Sequence, residues 1–255
     1  VNELFSNKDS LIEVVFSQQS WAKDYNQFME KYIDSTDYIL YSHDDLTINT
    51  PNFFNEVMEQ IKDKEEPIGW ISFTNDRYYR YDGRALSNSF KDPFALDRKN
   101  DPRIYECHKF NDGESVTNDN VNLLDYPQGV VKVCSPFPHL CLVSSESMKK
   151  IGPCSDWTEY TILIDDDWGL EALKKNLFNI WIPSIGYTHP NPKYSPYRKP
   201  GTDLRWMQQA FQRFKEKWGF HVSPSEEEIE FVREKYKDTN IPMFSYRNTY
   251  DWDYL

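Results

Sequence analysis

Apolar residues along this chain fall into short blocks separated by polar turns. Leu11-Ile-Glu-Val-Val-Phe16 is β-branched and apolar and predicts a strand, ending in the polar loop Ser17-Gln-Gln-Ser20. Trp21, Tyr25, Phe28, Met29 and Tyr32 then recur at helical spacing, so Trp21 to Tyr32 is expected to be a helix with Ser20 as its N-cap. Tyr38 to Ser42 predicts a second strand, leading into His43-Asp44-Asp45. Pro51 is expected to open a helix near its first turn, with Phe53, Phe54, Val57, Met58 and Ile61 as the apolar set. Ile68 to Phe73 is a third strand. This β-α-β-α-β order predicts a parallel sheet covered by helices.

The pattern fades over residues 74–128, which are rich in Asn, Asp, Arg and Tyr. A structureless loop of that length is rare inside a domain, so short irregular elements forming an insertion over the carboxyl edge of the sheet are expected. Strands are expected again at Gly129 to Cys134 and His139 to Ser144, followed by a short helix, Glu146 to Ile151, capped by Ser145 and stopped at Gly152-Pro153. Thr161 to Ile164 reads as a strand running into Asp165-Asp166-Asp167. A helix from Trp168 to Leu177 and a short strand from Asn179 to Ile182 come next, leading to Tyr187-Thr-His189-Pro190. Residues 191–201 add three prolines to Pro190 and read as an extended tether or lid. Leu204 to Trp218 is strongly amphipathic, and its aromatic stripe reads as core packing rather than a binding surface. Ser225 to Tyr236 reads as a final acidic helix, and the aromatic residues of Phe244 to Leu255 could fold back onto the domain.

Composition narrows the class. With 39% hydrophobic and 27% charged residues among 255, the chain is long enough for one large domain or two small ones. A net charge of −12 argues against a nucleic-acid partner and suits a site that gathers a cation. The 16% aromatic share supplies surfaces that stack on sugar rings or bases. No run approaches the ~20 apolar residues of a membrane span, so no integral membrane segment is expected. Val1-Asn-Glu-Leu-Phe5 has neither the basic start nor the apolar stretch of a signal peptide, and the expected compartment is the cytoplasm. Cys107, Cys134, Cys141 and Cys154 form no CxxC pair; they read as buried reduced thiols, with one disulfide as the alternative. The nine glycines compose neither GxGxxG nor GxxxxGK[ST], which disfavours Rossmann dinucleotide and P-loop phosphate binding. Nothing in the pattern signals an oligomeric state.

Three polar clusters follow apolar segments: His43-Asp44-Asp45, Asp165-Asp166-Asp167, and His189. In a parallel sheet such ends converge on the ligand-binding edge. Taken singly, each has an ordinary reading: an acidic strand cap, acids at a helix N-terminus, a histidine in a turn. Taken together they fit one reaction. Asp45 and His189 could hold a divalent cation against a diphosphate leaving group, and a carboxylate of the second cluster could deprotonate a hydroxyl. Oxygen ligands with one imidazole suit Mn²⁺, with Mg²⁺ as the alternative.

The order of these clusters resembles that of the large inverting family of GT-A-fold glycosyltransferases. Ile39-Leu-Tyr-Ser-His43-Asp44-Asp45-Leu46 is similar to the family's strand and DxD-type motif, with His43 in place of the first acid. Ser20-Trp-Ala22-Lys-Asp-Tyr25-Asn26 resembles its S-x-A-x-x-Y-N segment near the nucleotide. His139 to Gly152 looks like the strand and helix before the acceptor site, and Ile164-Asp165-Asp166-Asp167-Trp168-Gly169 like its E-D-x-[DE]-[FW]-G-type motif, with Ile in place of Glu. Asn179 to His189 is similar to the later strand and its metal-binding histidine. The resemblance covers residues 11–190 and thins over 74–128.

It implies an α/β fold: a GT-A-like, Rossmann-type, mixed but mostly parallel sheet flanked by helices. Residues 1–200 would form the catalytic unit, with 201–255 as a helical extension packed on it. It further implies a nucleoside-diphosphate sugar donor, UDP-linked, and a glycan or glycoconjugate acceptor. Ser17, Gln18, Lys23, Asn26, Asp44 and Asp45 would face the nucleotide sugar. Asp45 and His189 would bind the metal. Asp165 falls on the base, and a one-residue shift would choose Asp166. Rival classes are a metal-dependent phosphodiester or nucleotide hydrolase and a non-catalytic glycan-binding module.

Overall fold

A computed structural model describes residues 21–43, 46–75, 130–133, 135–136, 139–156, 163–188, 205–221 and 225–241. Six strands form one sheet: β1 (Tyr38–Ser42), β2 (Thr47–Ile48), β3 (Ile68–Asn75), β4 (Val131–Val133), β5 (Leu140–Ser144) and β6 (Phe178–Thr188). The helices are α1 (Trp21–Tyr32), α2 (Phe53–Ile61), α3 (Ser145–Ile151), α4 (Ile164–Lys174), α5 (Arg205–Trp218) and α6 (Glu226–Lys235). The expected strand at Leu11 to Phe16, the Ser20 cap, the Pro-rich 191–201 segment, the Phe244 to Leu255 tail and most of 74–128 lie outside the described residues.

The fold is mixed α/β. The strand order is β1-β5-β3-β6-β2, and β4 also pairs with β6. Parallel pairing was the expectation, but of these contacts only β3–β6 is parallel. The reason is the place of β5. β1 and β3 run the same way, yet β5 lies antiparallel between them, so the strands joined through α2 are not neighbours. The carboxyl ends of β1, β3 and β6 therefore still point to one edge of the sheet.

Two irregularities shape the β3–β6 ladder. Near its start, two residues of β3, Gly69 and Trp70, oppose the single residue Asn179. The buried Asn179 amide repairs the gap: its Oδ1 accepts from the Trp70 N–H at 3.1 Å, and its Nδ2 donates to the Gly169 carbonyl of α4 at 2.9 Å. Farther on, Phe73 pairs with Ile182 and Thr74 with Gly186, so residues 183–185 form a bulge, from which Ile185 still packs into the core. Pro183 sits in that bulge, where no ladder N–H is required. It made the strand look finished at Ile182, whereas β6 continues to Thr188.

The sheet is covered on both faces. Ile39, Trp70, Cys141 and Val143 pack against Ala22, Tyr25 and Met29 of α1, Met148 of α3, and Trp168 of α4. On the opposite face Ile71, Phe73, Leu140, Leu142, Ile180 and Ile182 meet Phe53 and Val57 of α2. A third core joins Leu163, Leu170 and Leu173 to Ala210, Phe214 and Trp218 of α5 and Val232 of α6. α4 is thus covered on two sides, and nine of its eleven residues are buried, the three aspartates among them. That explains one misreading. Leu163 has left-handed φ 62 and Ile164 is already helical, so the described end of the expected Thr161 to Ile164 strand is the start of α4.

Caps follow the local chemistry with small shifts. Ser144, rather than Ser145, caps α3, its hydroxyl accepting from the Ser147 N–H. Pro51 lies ahead of α2, whose N-cap is Asn52 at φ 52. Ser225 caps α6 in a full capping box with Glu228.

Candidate functional site

β1 delivers His43 to the carboxyl edge of the sheet. The His43 N–H donates to the His139 carbonyl at 2.9 Å, extending the β1–β5 ladder by one bond. The two imidazoles meet edge to face, with centroids 4.9 Å apart. Tyr41 touches both His43 and Trp168, linking the end of β1 to α4. Asp44 and Asp45 lie outside the described residues, as do Ser17, Gln18 and His189. Their described neighbours are informative. β2 pairs antiparallel with the end of β6, with Thr47 opposite Thr188 and Ile48 opposite Tyr187.

α4 carries the second acidic cluster to the same side. The helix returns across the sheet: Ala172 lies over Gly69, and Trp168, one turn earlier, stacks on Trp70 at 4.3 Å. Its first turn, with Asp165, Asp166 and Asp167, therefore points toward the carboxyl ends of β1 and β3. All three aspartates are buried, at 8%, 1% and 1% exposure. Acids favour a helix N-terminus, but three buried carboxylates in one turn is costly without specific compensation.

The compensation differs among the three. Asp167 Oδ1 accepts from Lys217 Nζ at 2.7 Å and from the Trp218 indole N–H at 2.9 Å. Asp166 Oδ1 accepts a long bond, 3.4 Å, from the Ser135 hydroxyl. Asp165 is the most accessible, and its charge, after burial itself, helps hold the Cys141 thiol above its ordinary range. Burial pushes the Asp167 carboxyl up despite the opposing Lys217 ammonium, while Asp167 and Glu171 outweigh burial to raise Lys217. An ion pair alone would drive the two apart. They move together because the carboxylate is almost fully enclosed and the ammonium is not, with side chains 1% and 29% exposed.

Two residues expected at the nucleotide are occupied with the protein itself. The Asn26 side chain grips the Cys154 backbone: Nδ2 donates to its carbonyl at 2.9 Å, and Oδ1 accepts from its N–H at 2.7 Å. The amide thus acts as a clamp between α1 and the segment after α3. Lys23 reaches Asp156 at 3.3 Å and keeps a half-exposed side chain. Cys141 and Cys154 are buried free thiols, as the reduced reading expected, and burial raises both. Cys107 and Cys134 lie outside the described residues.

The sequence did not reveal Lys217, Trp218, Ser135 or His139 as neighbours of these clusters. Lys217 flanks the apolar stripe of α5, but nothing local indicates that its partner lies 50 residues away. Among the described residues, no group of three or more His, Cys, Asp and Glu could hold a metal ion, and no helix is long and apolar enough to cross a membrane. No protein-family model matches the chain, and a search of curated proteins finds no match.

Proposed function

We propose that this protein is a metal-dependent inverting glycosyltransferase that moves a sugar from a nucleoside diphosphate, UDP-linked, to a hydroxyl of a glycan or glycoconjugate. The observation that carries this reading is convergence. The end of β1, the end of β6 and the acidic turn of α4 all approach the carboxyl edge of the sheet, in the chain order that the motif resemblance requires. Thr47 opposes Thr188. Asp45 is two residues from the first and His189 one residue from the second, at about 3.8 Å per step. Both are thus tethered to one strand pairing, and a carboxylate with an imidazole is a suitable donor set for Mn²⁺ or Mg²⁺.

In this reading Asp45 and His189 hold the cation, which when bound would neutralise the charge of the departing diphosphate. Asp44 contacts the donor sugar or ribose. Asp165, the most accessible of the three aspartates in the first turn of α4, takes the proton of the acceptor hydroxyl, whose oxygen attacks the anomeric carbon from the side opposite the leaving group. Asp166, more deeply enclosed and bonded to Ser135, is the alternative base. The segment following β3 leaves from the same edge and is suited to shaping the acceptor cleft.

The test is a thermal-shift panel of nucleotide sugars with and without Mn²⁺. A UDP-linked donor should raise the melting temperature only with metal, and Asp45→Ala should abolish that rise. Asp165→Asn should keep the rise but lose transfer. A melting temperature indifferent to every donor would defeat the reading. Donor breakdown at full rate without acceptor would point to a hydrolase instead.

A further inference from the structure

We propose that Lys217 is a positioning residue, which fixes the acidic turn of α4 and thereby the place of Asp165. The reaction in question is the one assigned above and rests on that reading; the geometry does not. An ammonium has three N–H donors. Lys217 Nζ meets three acceptors from two separate parts of the chain: Asp167 Oδ1 at 2.7 Å, Glu171 Oε1 at 2.8 Å and the Ser155 hydroxyl at 2.8 Å. Asp167 and Glu171 are one turn apart on α4, so the contact grips the helix along its length rather than at one point.

Ser155 lies in the strap that leads from α3 toward α4, and the strap is held at three consecutive residues. Asn26 clamps Cys154, Lys217 bonds Ser155, and Lys23 pairs with Asp156. Lys217 is where this strap, α4 and α5 meet. Its end of α5 is itself anchored, since Tyr236 donates its hydroxyl to the Trp218 carbonyl at 2.7 Å while the Trp218 indole N–H reaches Asp167. An exposed lysine pair would contribute little. Here the carboxylate is enclosed, and removing its cation leaves a buried charge that the turn must move to relieve. Asp167 is two residues from Asp165 in that turn. Asp167 is therefore the anchor of the turn, and Asp165 is the base of the proposed reaction that this anchor keeps in place.

The test compares Lys217→Met with Lys217→Arg in the full chain, with Lys217→Gln as a second variant that keeps hydrogen bonding without charge. Two readouts are taken. Amide hydrogen exchange at Asp166, Asp167 and Trp168 should quicken about tenfold or more in Lys217→Met, with α2 unchanged and Lys217→Arg close to wild type. For transfer, kcat should fall by about 100-fold while donor KM and the Mn²⁺-dependent UDP shift hold, because binding survives and alignment does not. Should Lys217→Met fail to fold, Lys217→Gln must show the same exchange and kcat changes. Exchange and kcat both at wild-type level in the folded variant would overturn the proposal. Faster exchange in a protein whose wild type transfers no sugar would keep the positioning role and defeat the glycosyltransferase reading.

Discussion

Asn26 and Asp167 show how single side chains set the local structure. Asn26 satisfies both backbone polar groups of Cys154. Asn26→Ala should cost about 1–3 kcal/mol, because the peptide groups of a buried residue lose their partners. Urea denaturation would measure it, and an unchanged Mn²⁺-dependent UDP shift would confirm that Asn26 acts as a clamp and not as a nucleotide contact. Asp167 makes a prediction about pH. Burial raises its carboxyl above the ordinary aspartate value, so the native state binds that proton more tightly than the unfolded chain does. Stability from this group is complete below the unfolded value and is lost as pH rises through the raised folded one. Lys217, itself shifted upward, stays charged throughout. The stability of wild type relative to Asp167→Asn should therefore decline as pH rises from the ordinary aspartate value, about 4, through the raised folded one. Urea midpoints whose difference is constant over that window would contradict the assignment.

At the scale of elements, close contact between α4 and β3 depends on Gly69. A Cβ there would stand 2.8 Å from Asn179 Oδ1 and 2.9 Å from the Ala172 Cβ. Neither neighbour is free to retreat, since Asn179 is held by Trp70 and Gly169 and Ala172 lies in the helix wall. Gly69→Ala should destabilise by about 1–3 kcal/mol through overpacking, visible as a lowered urea midpoint. Which elements the sequence revealed follows from the same local logic. α1 matches the expected range because it has one buried side and one polar side, which leaves a clean period, and β1 because its apolar run packs on both faces, Ile39 and Tyr41 in one core and Leu40 in the other. α4 was missed at its start because it is covered on two sides and has no such period. β2 is two residues long, and its strand character comes only from pairing with β6, so no local signal announced it. The site divides similarly. The acids of α4 stood out as a run, whereas the clamp role of Asn26 depends on a partner 128 residues away.

At the scale of the whole molecule, the C-terminal helices complete the wall of α4 and the charge balance of its acidic turn. Leu163, Leu170 and Leu173 are 3% exposed or less only because α5 and α6 cover them. Exposing them would forfeit about 1.5–3 kcal/mol each. Removing Lys217 and Trp218 would also strip Asp167 of its cation and its indole donor, and breaking one side of a buried pair costs about 3–5 kcal/mol more. A loss of that order approaches the whole stability of a typical domain, about 5–15 kcal/mol. A chain ending at residue 204 should therefore show no cooperative unfolding transition in urea, while the full chain does. If the shortened chain unfolded cooperatively at the full-length midpoint, the extension would be a separate unit, and the link from Lys217 to Asp165 would lose its structural basis. If it stayed folded but with faster exchange confined to α4, the extension would act on the acidic turn alone. The buried leucines argue against that outcome, because the surface uncovered runs along α4 from Leu163 to Leu173 and not only over its first turn.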